Sequence, residues 1–195
     1  MKKDIILAGV GGQGILSIAT VIGDAALNEG LYIKQAEVHG MSQRGGDVQS
    51  NLRISSEPIA SDLIPKGECD LIISMEPMEA LRYLSYLSKD GWIVTASEPF
   101  VNIPNYPEME RIRQELSSLD NVISIDIDAV ARDAGNPRGA NIVLLGACAH
   151  LLGIPEEKLV DGIRRIFSRK GEDVVDANVR AFEAGGNKTK DIFCF

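Results

Sequence analysis

The stretch Asp4-Ile5-Ile6-Leu7-Ala8-Gly9-Val10-Gly11-Gly12-Gln13-Gly14, followed from Ile15 by apolar residues at helical spacing, decides how this chain folds. The apolar run reads as a buried strand, and the glycines mark a tight turn that opens a helix. Gly9, Gly11 and Gly14 stand in the G-x-G-x-x-G spacing. Backbone amides in such a turn can approach a phosphate, and the helix N-terminus adds partial positive charge. Gly9, Gly11, Gly12, Gln13 and Gly14 are therefore candidate anion-binding residues. The competing use of the same glycines is close packing of helix on strand.

Working outward, Ile15, Ile18, Ala19, Ile22 and Ala25-Ala26 share one stripe and predict a crossover helix over 15–29. Strands are expected at 31–38, at the alternating segment 47–54, and at 70–75, 91–96 and 122–125. Helices are expected at 78–87, after the Met75-Glu76-Pro77 turn, and at 108–119, after a connection holding Pro99, Pro104 and Pro107. Beyond residue 128 the pattern is helical only, over 128–134, 140–152, 156–167 and 171–184. This order predicts a single domain over 1–195: an α/β, doubly wound, mostly parallel, Rossmann-like sheet with a helical C-terminal third.

Composition narrows the function classes. The net charge of the 195 residues is −8 and no Lys/Arg block stands out, which disfavours nucleic acid as a partner. Cys69, Cys148 and Cys194 are far apart, so neither a zinc site nor an iron–sulfur cluster is expected from this chain alone. No metal ligand set is expected. The absence of a signal-like segment and of an apolar run near the ~20 residues of a membrane span points to the cytoplasm.

Ligands of such sheets sit beyond the strand C-termini, where the glycine turn, the loop 39–46 and the Met75-Glu76-Pro77 turn should converge. Glu37 falls 23 residues after Gly14, where a dinucleotide-binding fold keeps its ribose-binding acid, so an NAD(P)-binding or regulatory domain is the alternative reading. In the loop, His39 and Arg44 are candidate catalytic contributors, and Arg44, Gly45 and Gly46 suit a phosphate or a partner's carboxylate. Asn141 can cap the helix it opens or turn its amide into the site. His150 reads as a core or interface residue on an apolar helix, and Cys148 on the same helix as a small hydrophobe. Arg164, Arg165, Arg169 and Lys170 read as complements to a helix dipole, with a phosphate patch as the second use.

Four blocks carry a family resemblance: Gly9-Val-Gly-Gly-Gln-Gly14-Ile15; Glu37-Val-His-Gly-Met-Ser-Gln-Arg-Gly-Gly46; Gly135-Asn-Pro-Arg-Gly-Ala-Asn141 with Leu145-Gly146; and Asn178-Val-Arg-Ala-Phe-Glu-Ala-Gly185. With these the chain resembles the gamma-type subunits or domains of the 2-oxoacid:ferredoxin oxidoreductases, in particular the small (beta) subunits of the indolepyruvate type. The resemblance implies thiamine-diphosphate-dependent oxidative decarboxylation of a 2-oxo acid to an acyl-CoA, with electrons leaving through [4Fe-4S] clusters to ferredoxin. It implies that CoA is bound at this domain, and that thiamine diphosphate, Mg2+ and the clusters belong to a large partner subunit. The sequence holds no Gly-Asp-Gly motif for a magnesium diphosphate, so the chain is not expected to act alone. In isolation it could instead pair with itself.

Overall fold

Strand β1 (Lys2–Val10) is buried from Asp4 onward, because it runs through the middle of a sheet covered on both faces. The computed structural model describes residues 1–39 and 45–193, and for His39 the backbone only. The other strands are β2 (Tyr32–His39), β3 (Asp47–Ser55), β4 (Cys69–Ser74), β5 (Leu87–Ala96) and β6 (Val122–Ile125). They form one sheet in the order β2-β3-β1-β4-β5-β6. β1, β4, β5 and β6 pair in parallel. β3 is antiparallel to both β1 and β2, so five of the six strands point one way and β3 alone is reversed. The sheet is mostly parallel, as the sequence predicts, but an antiparallel strand sits where a simple βαβ unit would place β2.

Alternation along β1 serves two cores. Ile5 and Leu7 face helices α1 (Ile15–Asn28), α4 (Ile127–Asp133), α5 (Ala140–Leu152), α6 (Glu156–Phe167) and α7 (Glu172–Thr189), the last four making up the helical C-terminal third. Ile6 and Ala8 face the opposite side, with Ile64, Ile72, Ala80 and Tyr83. On that side lie α2 (Pro77–Arg82) and the Ile64 segment; α3 (Met109–Ser117) follows further on. Each fully buried isoleucine of these cores contributes about 1.5–3 kcal/mol relative to exposure.

The N-terminal end of the sheet is tied by charge. Asp4, almost wholly buried, accepts two hydrogen bonds from Arg53, at 2.7 and 2.9 Å, and the same guanidinium donates to the carbonyls of Ser61 and Leu63. The segment after β3 is thereby fastened to the sheet. The opposite end, where the parallel strands finish, is left for the glycine turn.

Three element boundaries differ from the sequence expectation by more than two residues. The helix expected over 78–87 stops at Arg82, passes through a 3-10 turn at Leu84–Tyr86, and gives way to β5 from Leu87 rather than Gly91. Tyr83 buries into the second core and Leu87 pairs with Cys69 across an irregular step, drawing the chain early into the strand. The last helix, expected to end at residue 184, continues through Gly185 and Gly186 to Thr189. These glycines do not stop the helix; Gly185 lies against the backbone of α5, where an added Cβ would sit 1.9 Å from the Val143 carbonyl oxygen.

Candidate functional site

The glycine turn joins the end of β1 to the start of α1, and its members have separate tasks. Gln13 faces inward: its Oε1 accepts the Val10 amide at 2.7 Å and its Nε2 donates to the Met75 carbonyl at 3.2 Å, stitching the ends of β1 and β4. Gly9 makes room for that stitch, since a Cβ there would lie 2.8 Å from Gln13 Oε1. Gly14 precedes α1 in the left-handed region, at φ 84°, and Asn141 packs where its side chain would be. Asn141 Nδ2 donates to the Gly14 carbonyl at 3.1 Å while its Oδ1 accepts the Ile142 amide. Asn141 thus links the turn to α5, and the N-cap of α5 is Gly139.

Gly12 differs from its neighbours. At φ 103° it leaves nothing among the described residues within 4 Å of where a Cβ would stand. The amides of Gly12, Gly14, Ile15 and Leu16 have no backbone partner among the described residues. They gather at the N-terminus of a 14-residue helix, the arrangement that favours an anion. A cleft of about 360 Å³ opens over them, lined by Val10, Gly11, Gly12, Gly14, Ile15, Leu16 and Val48. Its walls are apolar and its polar surface is backbone.

The loop expected to face this cleft returns to it. Gly11 donates to the Gly46 carbonyl at 2.9 Å and accepts from the Gly45 amide at 3.5 Å. Arg44 and the His39 side chain lie outside the described residues. The structure therefore brings together Gly9, Gly11, Gly12, Gln13, Gly14, Gly45, Gly46 and Asn141, with the Met75 turn alongside.

Beside the cleft is a polar centre that sequence reasoning missed. Glu76, fully buried after β4, caps α2 by accepting the Glu79 amide at 2.9 Å. Its other oxygen accepts the Phe100 amide at 3.4 Å and the Tyr106 hydroxyl. Burial pushes the Glu76 carboxyl above the ordinary glutamate value, against the pull of these three donors. Burial, with the hydrogen bond to Glu76, also pushes the Tyr106 phenol up. The signal available in the sequence was an acid between a parallel strand and Pro77. Nothing local pairs it with Tyr106, 30 residues on.

Other candidates fall away from the site. Glu37 accepts from Gln35 Nε2 at 2.8 Å on β2, and β3 separates that strand from β1. A ribose-binding acid belongs on the strand adjacent to the glycine turn, so the inserted β3 removes the geometry of the NAD reading. His150 is not core: its side chain is 42% exposed, pairs with Glu156 at 3.2 Å and packs on Phe193. The helix α5 is apolar on every side except near its two ends, at Asn141 and at His150. Cys148 is buried as expected, with its thiol pushed up by burial. Arg165 is engaged by Asp24 at 2.6 Å and Lys170 lies over the Phe167 ring, which commits two of the four basic groups to packing. Among the described residues no cluster of three or more His, Cys, Asp or Glu could hold a metal ion, and no helix is long and apolar enough to cross a membrane.

The sequence profile of the pyruvate ferredoxin/flavodoxin oxidoreductase family matches residues 4–188. The chain belongs to this family. Among curated family members, the indolepyruvate oxidoreductase subunit IorB of Thermococcus kodakarensis is 37% identical over 98% of each chain. Among solved structures, the gamma subunit of a keto/oxoacid ferredoxin oxidoreductase from Geobacter sulfurreducens superposes with a TM-score of 0.71 at 26% identity, covering 97% of this chain and 99% of that one. A 2-oxoglutarate:ferredoxin oxidoreductase from Magnetococcus marinus, solved with 2-oxoglutarate, coenzyme A and succinyl-CoA, superposes with a TM-score of 0.77 at 23% identity. It shares the fold over 97% of this chain, which spans only 31% of that longer polypeptide. These relatives are oxidoreductases or subunits of them.

Proposed function

We propose that this chain is the small, gamma-type subunit of an indolepyruvate-type 2-oxoacid:ferredoxin oxidoreductase, and that its glycine cleft seats CoA. The observation that carries the reading is the near full-length 37% identity to an indolepyruvate oxidoreductase subunit. The cleft fits the cofactor's chemistry: unpartnered amides at a helix N-terminus suit phosphate oxygens, and an apolar wall suits a pantetheine arm.

In this reading the amides of Gly12, Gly14, Ile15 and Leu16 hold a phosphate. Val10, Ile15, Leu16 and Val48 line the arm and exclude water, while Gly12 keeps the approach clear. Gln13 and Asn141 hold the turn rigid from beneath, and Gly45 and Gly46 bond to Gly11 at its edge. Arg44, next to them in sequence, is assigned to the site shared with the partner. When bound, CoA supplies the thiol that takes the acyl group.

The remaining chemistry is assigned to a large partner subunit carrying thiamine diphosphate, Mg2+ and [4Fe-4S] clusters, with ferredoxin as its electron acceptor, in the cytoplasm. Cys69 supports this division of labour: it is buried and its thiol is pushed up to about 12, the opposite of a cluster ligand. Val38, Phe100 and Val101 are exposed apolar side chains and are assigned to partner docking; without the partner, self-pairing is the expected use of such surface.

The test is reconstitution. Methyl viologen reduction by indolepyruvate, with thiamine diphosphate and CoA, is expected only when large subunit and this chain are mixed. Full activity from the large subunit alone would contradict the assignment, and preference for another 2-oxo acid in the mixture would replace indolepyruvate.

A further inference from the structure

Residues 97–108, between β5 and α3, form neither helix nor strand, yet beyond Ser97, whose amide donates to the Ile125 carbonyl, the segment is pinned at two points. The first is Glu76, which takes the Phe100 amide at 3.4 Å and the Tyr106 hydroxyl on one carboxylate oxygen. The second is Asn102, whose Nδ2 donates to the Gly45 carbonyl at 2.8 Å. Gly45 and Gly46 are in turn bonded to Gly11, in the wall of the cleft. A continuous chain of contacts therefore runs from a buried carboxylate to the glycine turn. It has a parallel path, because Gln13 holds the carbonyl of Met75, the residue before Glu76.

Asn102 supplies a donor, and that donor goes to Gly45. Tyr106 is similarly specific: the hydroxyl reaches Glu76, which already has a local role in capping α2.

We propose that Glu76, Tyr106 and Asn102 are positioning residues for the glycine cleft, acting through the 97–108 segment on Gly45, Gly46 and Gly11. The inference rests on the CoA reading only for the ligand whose binding it tunes. None of the three touches that ligand; they set where the turn and its loop stand when it arrives.

Glu76→Ala would also uncap α2, so the informative variants are Tyr106→Phe and Asn102→Asp, with Asn102→Gln retaining the amide donor. In the full-length chain, amide hydrogen exchange of peptides covering residues 9–14 and 45–46 is expected to quicken at least about threefold in the first two variants, with Ile5–Ala8 unchanged. In the reassembled complex the KM for CoA is expected to rise about threefold to tenfold, with kcat within about twofold, and Asn102→Gln is expected to recover much of the loss. Unchanged exchange at 9–14 overturns the inference. So does quickening spread equally through Ile5–Ala8, which would mean that the variants only loosen the fold. Local quickening with an unchanged CoA KM upholds the positioning role and removes CoA from the cleft.

Discussion

Two groups of glycines, one in the turn after β1 and one between α5 and α7, occupy opposite environments. At Gly146 and Gly185 a Cβ would lie 1.9 Å from a carbonyl oxygen of the facing helix, so the two backbones touch where side chains would otherwise separate them. Among the described residues a Cβ at Gly12 would meet nothing within 4 Å, and the amides of Gly12, Gly14, Ile15 and Leu16 have no backbone partner. The first pair is required by packing. Gly12 is required instead by its backbone, which at φ 103° stands where an L side chain is strained, with open space beside it among the described residues. Gly9 and Gly14 fall between, each accommodating a side chain that holds the turn, Gln13 and Asn141 respectively.

The comparison breaks most easily at the helix pair. Gly185→Ala has to part α5 from α7, and the expected cost is about 3 kcal/mol. For a chain of this size that corresponds to a Tm lower by about 6–12 °C in a thermal melt. A loss under about 1 kcal/mol would show that the contact yields, and the distinction between the two groups would weaken.

Asn141→Ala probes the intermediate case. It removes the bond to the Gly14 carbonyl without touching the open face, and should cost about 1 kcal/mol in urea denaturation. Faster amide exchange at residues 9–14 should accompany it. Unchanged exchange there would mean that the turn is held by Gln13 alone.

The smallest effect concerns the polar centre next to the turn. Burial raises Glu76 above the ordinary glutamate value, so the folded state binds this proton more tightly than the unfolded state does. Its contribution is complete below the unfolded value and declines as pH rises from about 4 toward the raised value. Glu76→Gln should therefore flatten the fall in stability over that window. A parallel pH profile for the variant would contradict the assignment of that slope to Glu76.

The sequence spelled out some of these features and hid others for identifiable reasons. The β1 strand, the turn and α1 were legible because composition changes there abruptly, and the bounds of α5 and α6 agree with their apolar periods at 140–152 and 156–167. The alternation at 47–54 announced a strand with one wet face, but alternation carries no record of which neighbours it takes, so the insertion of β3 between β2 and β1 was invisible. Gly185 and Gly186 look like a helix terminator in one dimension and become a helix contact only when α5 is beside them. The Glu76–Tyr106 pair and the Asn102–Gly45 bond join residues separated by 30 and 57 positions, across a proline-rich connection where no period operates. The glycine turn was therefore readable as a candidate, while the machinery that positions it was not.

The central claim is that Gly12 is open for CoA, and calorimetric titration of CoA into the assembled complex carrying Gly12→Ala tests it most directly. The added methyl faces the cleft and strains one left-handed residue, so stability should fall by only about 1–2 kcal/mol. CoA affinity is predicted to fall about tenfold or more, equivalent to at least about 1.4 kcal/mol. An unchanged affinity in a properly assembled complex would contradict the account.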